Sequence, residues 1–147
     1  MADDDAGRRV IDGVPGLHWG RSGDTTFCGA LEAAISVTAH PFEYTTLMGV
    51  TGLAFRTRWY ERPGVRWCPS APVGEFRDEC EAATRATGWR LRCEWEPLER
   101  LARDLARNID AGLPALAYDD QLNVAAVCGY EDGGATALMK SYSHGDE

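Results

Sequence analysis

Cys28 is the side chain with the most chemistry open to it. It lies in "GDTTFCGALEAAI", Gly23 to Ile35, just after a turn rich in glycine and threonine. Thr25 or Thr26 can cap the helix that follows, which leaves Cys28 in its first turn. A helix N-terminus gathers unpaired N–H groups and the positive end of the dipole. It therefore favours a thiolate and can hold an oxyanion. A cysteine nucleophile also needs a base or a cation within about 3 Å. At about 1.5 Å per residue, a continuous helix carries His40 roughly 18 Å from Cys28. His18 can fold back through its glycine-rich segment and is the candidate alternative base; His144, near the end of the chain, can also reach. The competing reading of Cys28 is a vestigial, packed or ligand-lining residue, with His18 a surface or capping residue.

The remaining reactive side chains give weaker signals. Cys80 and Cys93 fall on apolar faces and Cys128 in a central strand, so all three read as core. Cys68 lies in a long loop where oxidation is plausible. The five cysteines and three histidines form no CxxC or HxxxH pair, so neither a metal nor a cofactor is expected. Trp59, Tyr60 and Trp67 flank or occupy that loop and either pack it down or line a pocket. Asp119 and Asp120 read as a solvated turn whose carboxylates can meet a cationic ligand. Trp67 and Asp120 are accordingly cleft-lining candidates.

Several elements must position these residues. Phe27, Ala30, Leu31, Ala34 and Ile35 recur at helical spacing, and His40-Pro41 stops that helix. "FEYTTLMGV" reads as a short second helix and "GLAFRTRWY" as a strand. Residues 61–74 form a loop with Pro63, Pro69 and Pro72, of the length used for lids and binding loops. A helix is expected over Glu75 to Thr87, capped by Gly88. "WRLRCEW" alternates as a half-exposed strand. Pro97 opens a helix whose apolar stripe is Leu98, Leu101, Leu105 and Ile109. Three strands follow, "LPALAYD", "NVAAVCGYE" and "TALMKSY". The middle one is apolar on both faces and therefore central, and "EDGG" makes a hairpin turn after it. Helices first and antiparallel strands later give an α+β fold.

The chain has 147 residues, 44% of them hydrophobic, which suits one domain with a proper core. Fifteen basic against 23 acidic residues leave a net charge of −8, which argues against nucleic acid or an anionic membrane as partner. "MADDDAGRR" lacks the apolar segment of a secretory signal, and the odd cysteine count suits a reducing, cytoplasmic compartment. Residues 1–12 read as a disordered acidic tail and residues 13–147 as a single domain.

Three stretches resemble the papain-like cysteine hydrolases of the bacterial double-glycine leader peptidase kind. They are Cys28-Gly29 at the start of a helix, "DAGLPALAY" and "NVAAVCGYED". The stretch from Phe27 to Arg56 is similar to the opening of the N-terminal domain of the butirosin biosynthesis protein H type. The resemblance implies a papain-like fold, N-terminal helices packed on a mainly antiparallel sheet, and an association with acyl transfer from a carrier protein. Members of this type are longer, which implies a domain shortened at its C-terminus or a fragment. By the same resemblance Asn123 stands where the catalytic His belongs, and Ser22 stands where the oxyanion-hole Gln belongs, so that Gln is absent. The acid that would orient the His is missing near Lys140 and Ser141.

The leading expectation is thus a degenerate papain-like domain, a pseudoenzyme. Its cleft around Cys28 and Asn123 would bind a small molecule, a peptide or a partner, with Ser22 as a further lining candidate. An active cysteine acyltransferase, or an amide or thioester hydrolase with an unconventional base such as His18, is the alternative. A structural or regulatory interaction domain is the third. An acyl-carrier protein is a conceivable partner, and a homo-oligomer remains open.

Overall fold

A computed structural model describes residues 7–21, 23, 25–55, 76–92 and 96–143. The elements run β1 (Arg9–Val10), α1 (Thr26–Ser36), α2 (Tyr44–Val50), a 3-10 turn (Leu53–Phe55), α3 (Phe76–Thr87) and α4 (Leu98–Asp110). β2 (Ala115–Tyr118), β3 (Val124–Glu131), a second 3-10 turn (Asp132–Gly134) and β4 (Thr136–Lys140) complete them. The class is α+β, as expected from helices followed by strands.

β3 organises the sheet. All of its partners run antiparallel to it. β4 lies along one edge, while β2 pairs with Val124–Val127 and β1 with Gly129–Tyr130 along the other. Side chains of a strand alternate between faces. Val124, Ala126 and Cys128 share a core with Phe27, Ala30, Leu31 and Ala34 of α1. Ala125 and Val127, on the opposite face, are equally buried, and α4 packs against β3 and β2. A strand covered on both faces has to be apolar at consecutive positions, which is why this one reads so plainly in the sequence.

β1 corrects the expectation of a disordered tail for residues 7–12; residues 1–6 lie outside the described residues. Arg9 and Val10 pair with β3, and Ile11 donates its N–H to the Cys128 carbonyl at 2.7 Å. Gly129 makes this approach feasible, because a Cβ there would stand 2.5 Å from the Arg9 carbonyl oxygen. The Arg8 guanidinium adds an exposed ion pair to Glu131 at 2.9 Å.

Three further expectations change. Leu53–Phe55 is a 3-10 turn, where a strand was expected; the rest of that segment, the loop over 61–74 and Trp59, Tyr60, Trp67 and Cys68 lie outside the described residues. Trp89–Arg92 is not a strand either. Threonines of α3 take its backbone groups instead. Thr84 Oγ1 accepts the Leu91 N–H at 2.9 Å, and Thr87 Oγ1 accepts the Trp89 N–H at 3.2 Å. Local side-chain bonds of this kind replace a ladder. Cys93 lies outside the described residues. In α4 only Ile109 of the expected apolar stripe is buried; Leu98 is 83% exposed and Leu101 36%. At the turn after β3 the helix passes close, since a Cβ at Gly134 would stand 3.4 Å from the Ala102 carbonyl oxygen and 3.5 Å from the Ala106 methyl. Among the described residues no helix is long and apolar enough to cross a membrane.

Candidate functional site

The N-terminus of α1 is held from two sides. Gly23, at φ +84, lies against the Tyr44 ring, and a Cβ there would fall 2.2 Å from it. The Tyr44 hydroxyl accepts the Thr25 N–H at 3.1 Å, and the Tyr44 N–H donates to Glu32 at 2.8 Å. From the sheet, the Val124 N–H donates to Thr26 Oγ1 at 3.2 Å. The first turn of α1 is thus fixed beside the first residue of β3, next to Asn123.

Within that turn Cys28 is wholly enclosed, with 0% of its surface accessible. Its sulfur lies 3.9 Å from Thr51 Oγ1. The Thr51 hydroxyl has one hydrogen, and it donates this to the Leu47 carbonyl at 2.7 Å. Towards Cys28 it therefore presents its oxygen as an acceptor, so the S–H must donate. A thiol can make that contact and a thiolate cannot. The sulfur thus sits in the first turn of the helix but away from solvent, against a hydroxyl oxygen.

Asn123 is half-buried and engaged on its own side of the helix end. Its side-chain amide donates to Ser143 Oγ at 3.3 Å. Its backbone N–H donates to Asp119 Oδ1 at 2.8 Å, and the Gln121 N–H joins at 2.9 Å. Ser141 Oγ donates to Asp119 Oδ2 at 2.5 Å and Ser143 Oγ at 2.7 Å. Asp119 is thus buried with four hydrogen bonds to its carboxylate. This corrects the expectation of a solvated turn at that residue. Asp120 is exposed, as that turn required. Burial alone would raise the Asp119 pKa. The bonds from Ser141, Ser143, Asn123 and Gln121 outweigh it and hold the carboxyl below its ordinary value.

An exposed aromatic borders this network. Trp19, 53% exposed, stands over Tyr142 with ring centroids 4.6 Å apart. Tyr142, itself buried, lies between Ser141 and Ser143 in the chain, so the Trp19 ring stands near the residues that bond to Asp119 and Asn123. His18, beside Trp19, is half-buried, and its carbonyl accepts the Arg21 N–H at 3.2 Å. His40 is exposed, and its carbonyl accepts the Trp89 indole N–H at 2.9 Å. Cys80 and Cys128 are buried thiols, as their apolar settings predict; burial pushes the Cys128 thiol up. Ser22, Trp67 and His144 lie outside the described residues.

Ser143, Thr51 and Tyr142 were not singled out as contributors, Ser141 only as a place where an acid is missing, and Asp119 only as a solvated carboxylate. The signal available for Asp119 was its position before Asn123, a spacing that lets a carboxylate cap the backbone of its own turn. The serines carry no local signal, because they meet Asp119 only when β4 returns along β3. Among the described residues no three His, Cys, Asp or Glu side chains gather as metal ligands. No family model, curated protein or solved structure matches the chain.

Proposed function

We infer that this chain is a papain-like domain that binds a small molecule, a peptide or a partner without using Cys28 as a nucleophile. The bond between Thr26 and Val124 supports the papain-like reading, because it sets the start of the cysteine-bearing helix beside the strand that begins after Asn123. The single observation that carries the non-catalytic reading is the complete enclosure of Cys28. A nucleophile has to reach its substrate, and this sulfur faces a hydroxyl oxygen within the core. The binding surface on this reading is the patch of Trp19, Ser143 and Asn123. There an exposed indole supplies an apolar plate and the Asn123 amide oxygen a fixed acceptor.

Iodoacetamide labelling followed by peptide mass spectrometry tests this. The Cys28 peptide should stay unmodified in the native protein and label only on unfolding. Native labelling at the rate of an exposed thiol, lost in Cys28→Ser, would overturn the reading in favour of a cysteine acyltransferase or hydrolase.

A further inference from the structure

Charge is unevenly distributed on this acidic chain. Among the described residues, Arg92, Arg100, Arg103, Arg107 and Asp104 line one open concavity of about 410 Å³. Three of the arginines sit at i, i+3 and i+7 on one face of α4, and Arg92 comes from the segment that precedes it. Like charges at these helical spacings repel and destabilise the helix. Arg100 pairs with Glu96 at 3.4 Å and Arg107 with Asp104 at 2.7 Å. Arg103 Nε donates to the Glu99 carbonyl at 3.3 Å. That bond holds the group in place without neutralising its charge.

We propose that this concavity is a binding site for a soluble small molecule carrying a diphosphate group. Guanidinium groups pair with oxyanions through two parallel N–H bonds. A planar carboxylate offers its two oxygens in one plane. A phosphoryl group offers oxygens in several directions, so arginines arriving from two segments can engage the same group. Arg100 and Arg107 are separated by roughly 10 Å along the helix axis, more than one phosphate spans, which favours linked phosphates. The volume suits a small polar ligand. The site is separate in sequence and chemistry from the patch around Asn123 and does not depend on it.

Titration calorimetry of the full chain with inorganic pyrophosphate at low ionic strength tests the proposal. Saturable binding is expected, weakened about tenfold in Arg103→Gln and in Arg92→Gln and lost in the double variant. Arg85→Gln, in an exposed pair on α3, should bind as wild type does. The substituted side chains lie at the surface, and far-UV dichroism checks that each variant is folded. Absent binding, or unchanged binding in the folded double variant, would overturn the site. Equal affinity for a tricarboxylate of similar charge would overturn the phosphate class.

Discussion

Replacing Asp119 removes the acceptor on which the turn before β3 and the end of β4 converge. Its two oxygens take two backbone N–H groups and two serine hydroxyls, all at 2.9 Å or less. A hydrogen bond to a charged group contributes about 1.5–3 kcal/mol, but the four are not additive, and burying the carboxylate costs part of the gain. A net loss of about 3–4 kcal/mol is expected for Asp119→Ala. Asp119→Asn should cost roughly 1–2 kcal/mol. An amide oxygen can keep both backbone bonds, and the amide NH2 can donate to serine oxygens that already accept from Ser143 N–H and Asn123 Nδ2. The hydroxyl hydrogens are then the groups left over. The folded carboxyl titrates below its unfolded value of about 3.8. Its contribution is therefore full above the unfolded pKa and is lost as pH falls through the folded one. Urea unfolding of the three proteins at neutral pH, and at successively lower pH through the carboxylate range, measures this. The gap between wild type and Asp119→Asn should narrow on acidification. An Asp119→Ala midpoint equal to that of wild type at neutral pH, or a gap that does not change with pH, would refute the assignment.

Two further outcomes follow from close approaches in the fold. Gly129→Ala should displace β1 and cost about 1–3 kcal/mol, because the new Cβ meets the Arg9 carbonyl rather than a yielding side chain; hydrogen exchange at Val10 and Ile11 should rise while the β2–β3 pairing stays protected. Asn123→His should leave native Cys28 labelling unchanged, since the side chain at this position bonds to Ser143 while the sulfur is enclosed against Thr51; a newly reactive Cys28 in that variant would mean that the two positions face each other.

Helices α1, α3 and α4 and the three C-terminal strands were legible because each carries its own periodicity or its own stop signals. α1 declares itself through its apolar face, although it ends at Ser36, ahead of the expected stop at His40-Pro41, and β3 through a run that is apolar on both faces. The segment at Trp89 alternates as a strand does, yet Thr84 and Thr87 satisfy its backbone from the adjacent helix. α4 carries a clear leucine stripe, yet only Ile109 of it is buried, and the helix passes the turn after β3 at Ala102, Ala106 and Gly134. Periodicity reports which face is apolar. It does not report which neighbour comes close enough to cover it.

The amino-acid sequence by itself determined that a cysteine opens a helix, that an asparagine precedes the central strand, and that the class is α+β. Those features are local, set by capping, spacing and alternation within a few residues. Only the tertiary structure decided that Cys28 turns into the core against Thr51, that Asp119 gathers Ser141, Ser143 and the turn at Asn123, and that four arginines line one concavity. Each of these depends on groups distant in the chain, or on different segments, meeting at a few ångströms. Burial and hydrogen-bond partnership arise from that meeting and have no counterpart in residue spacing.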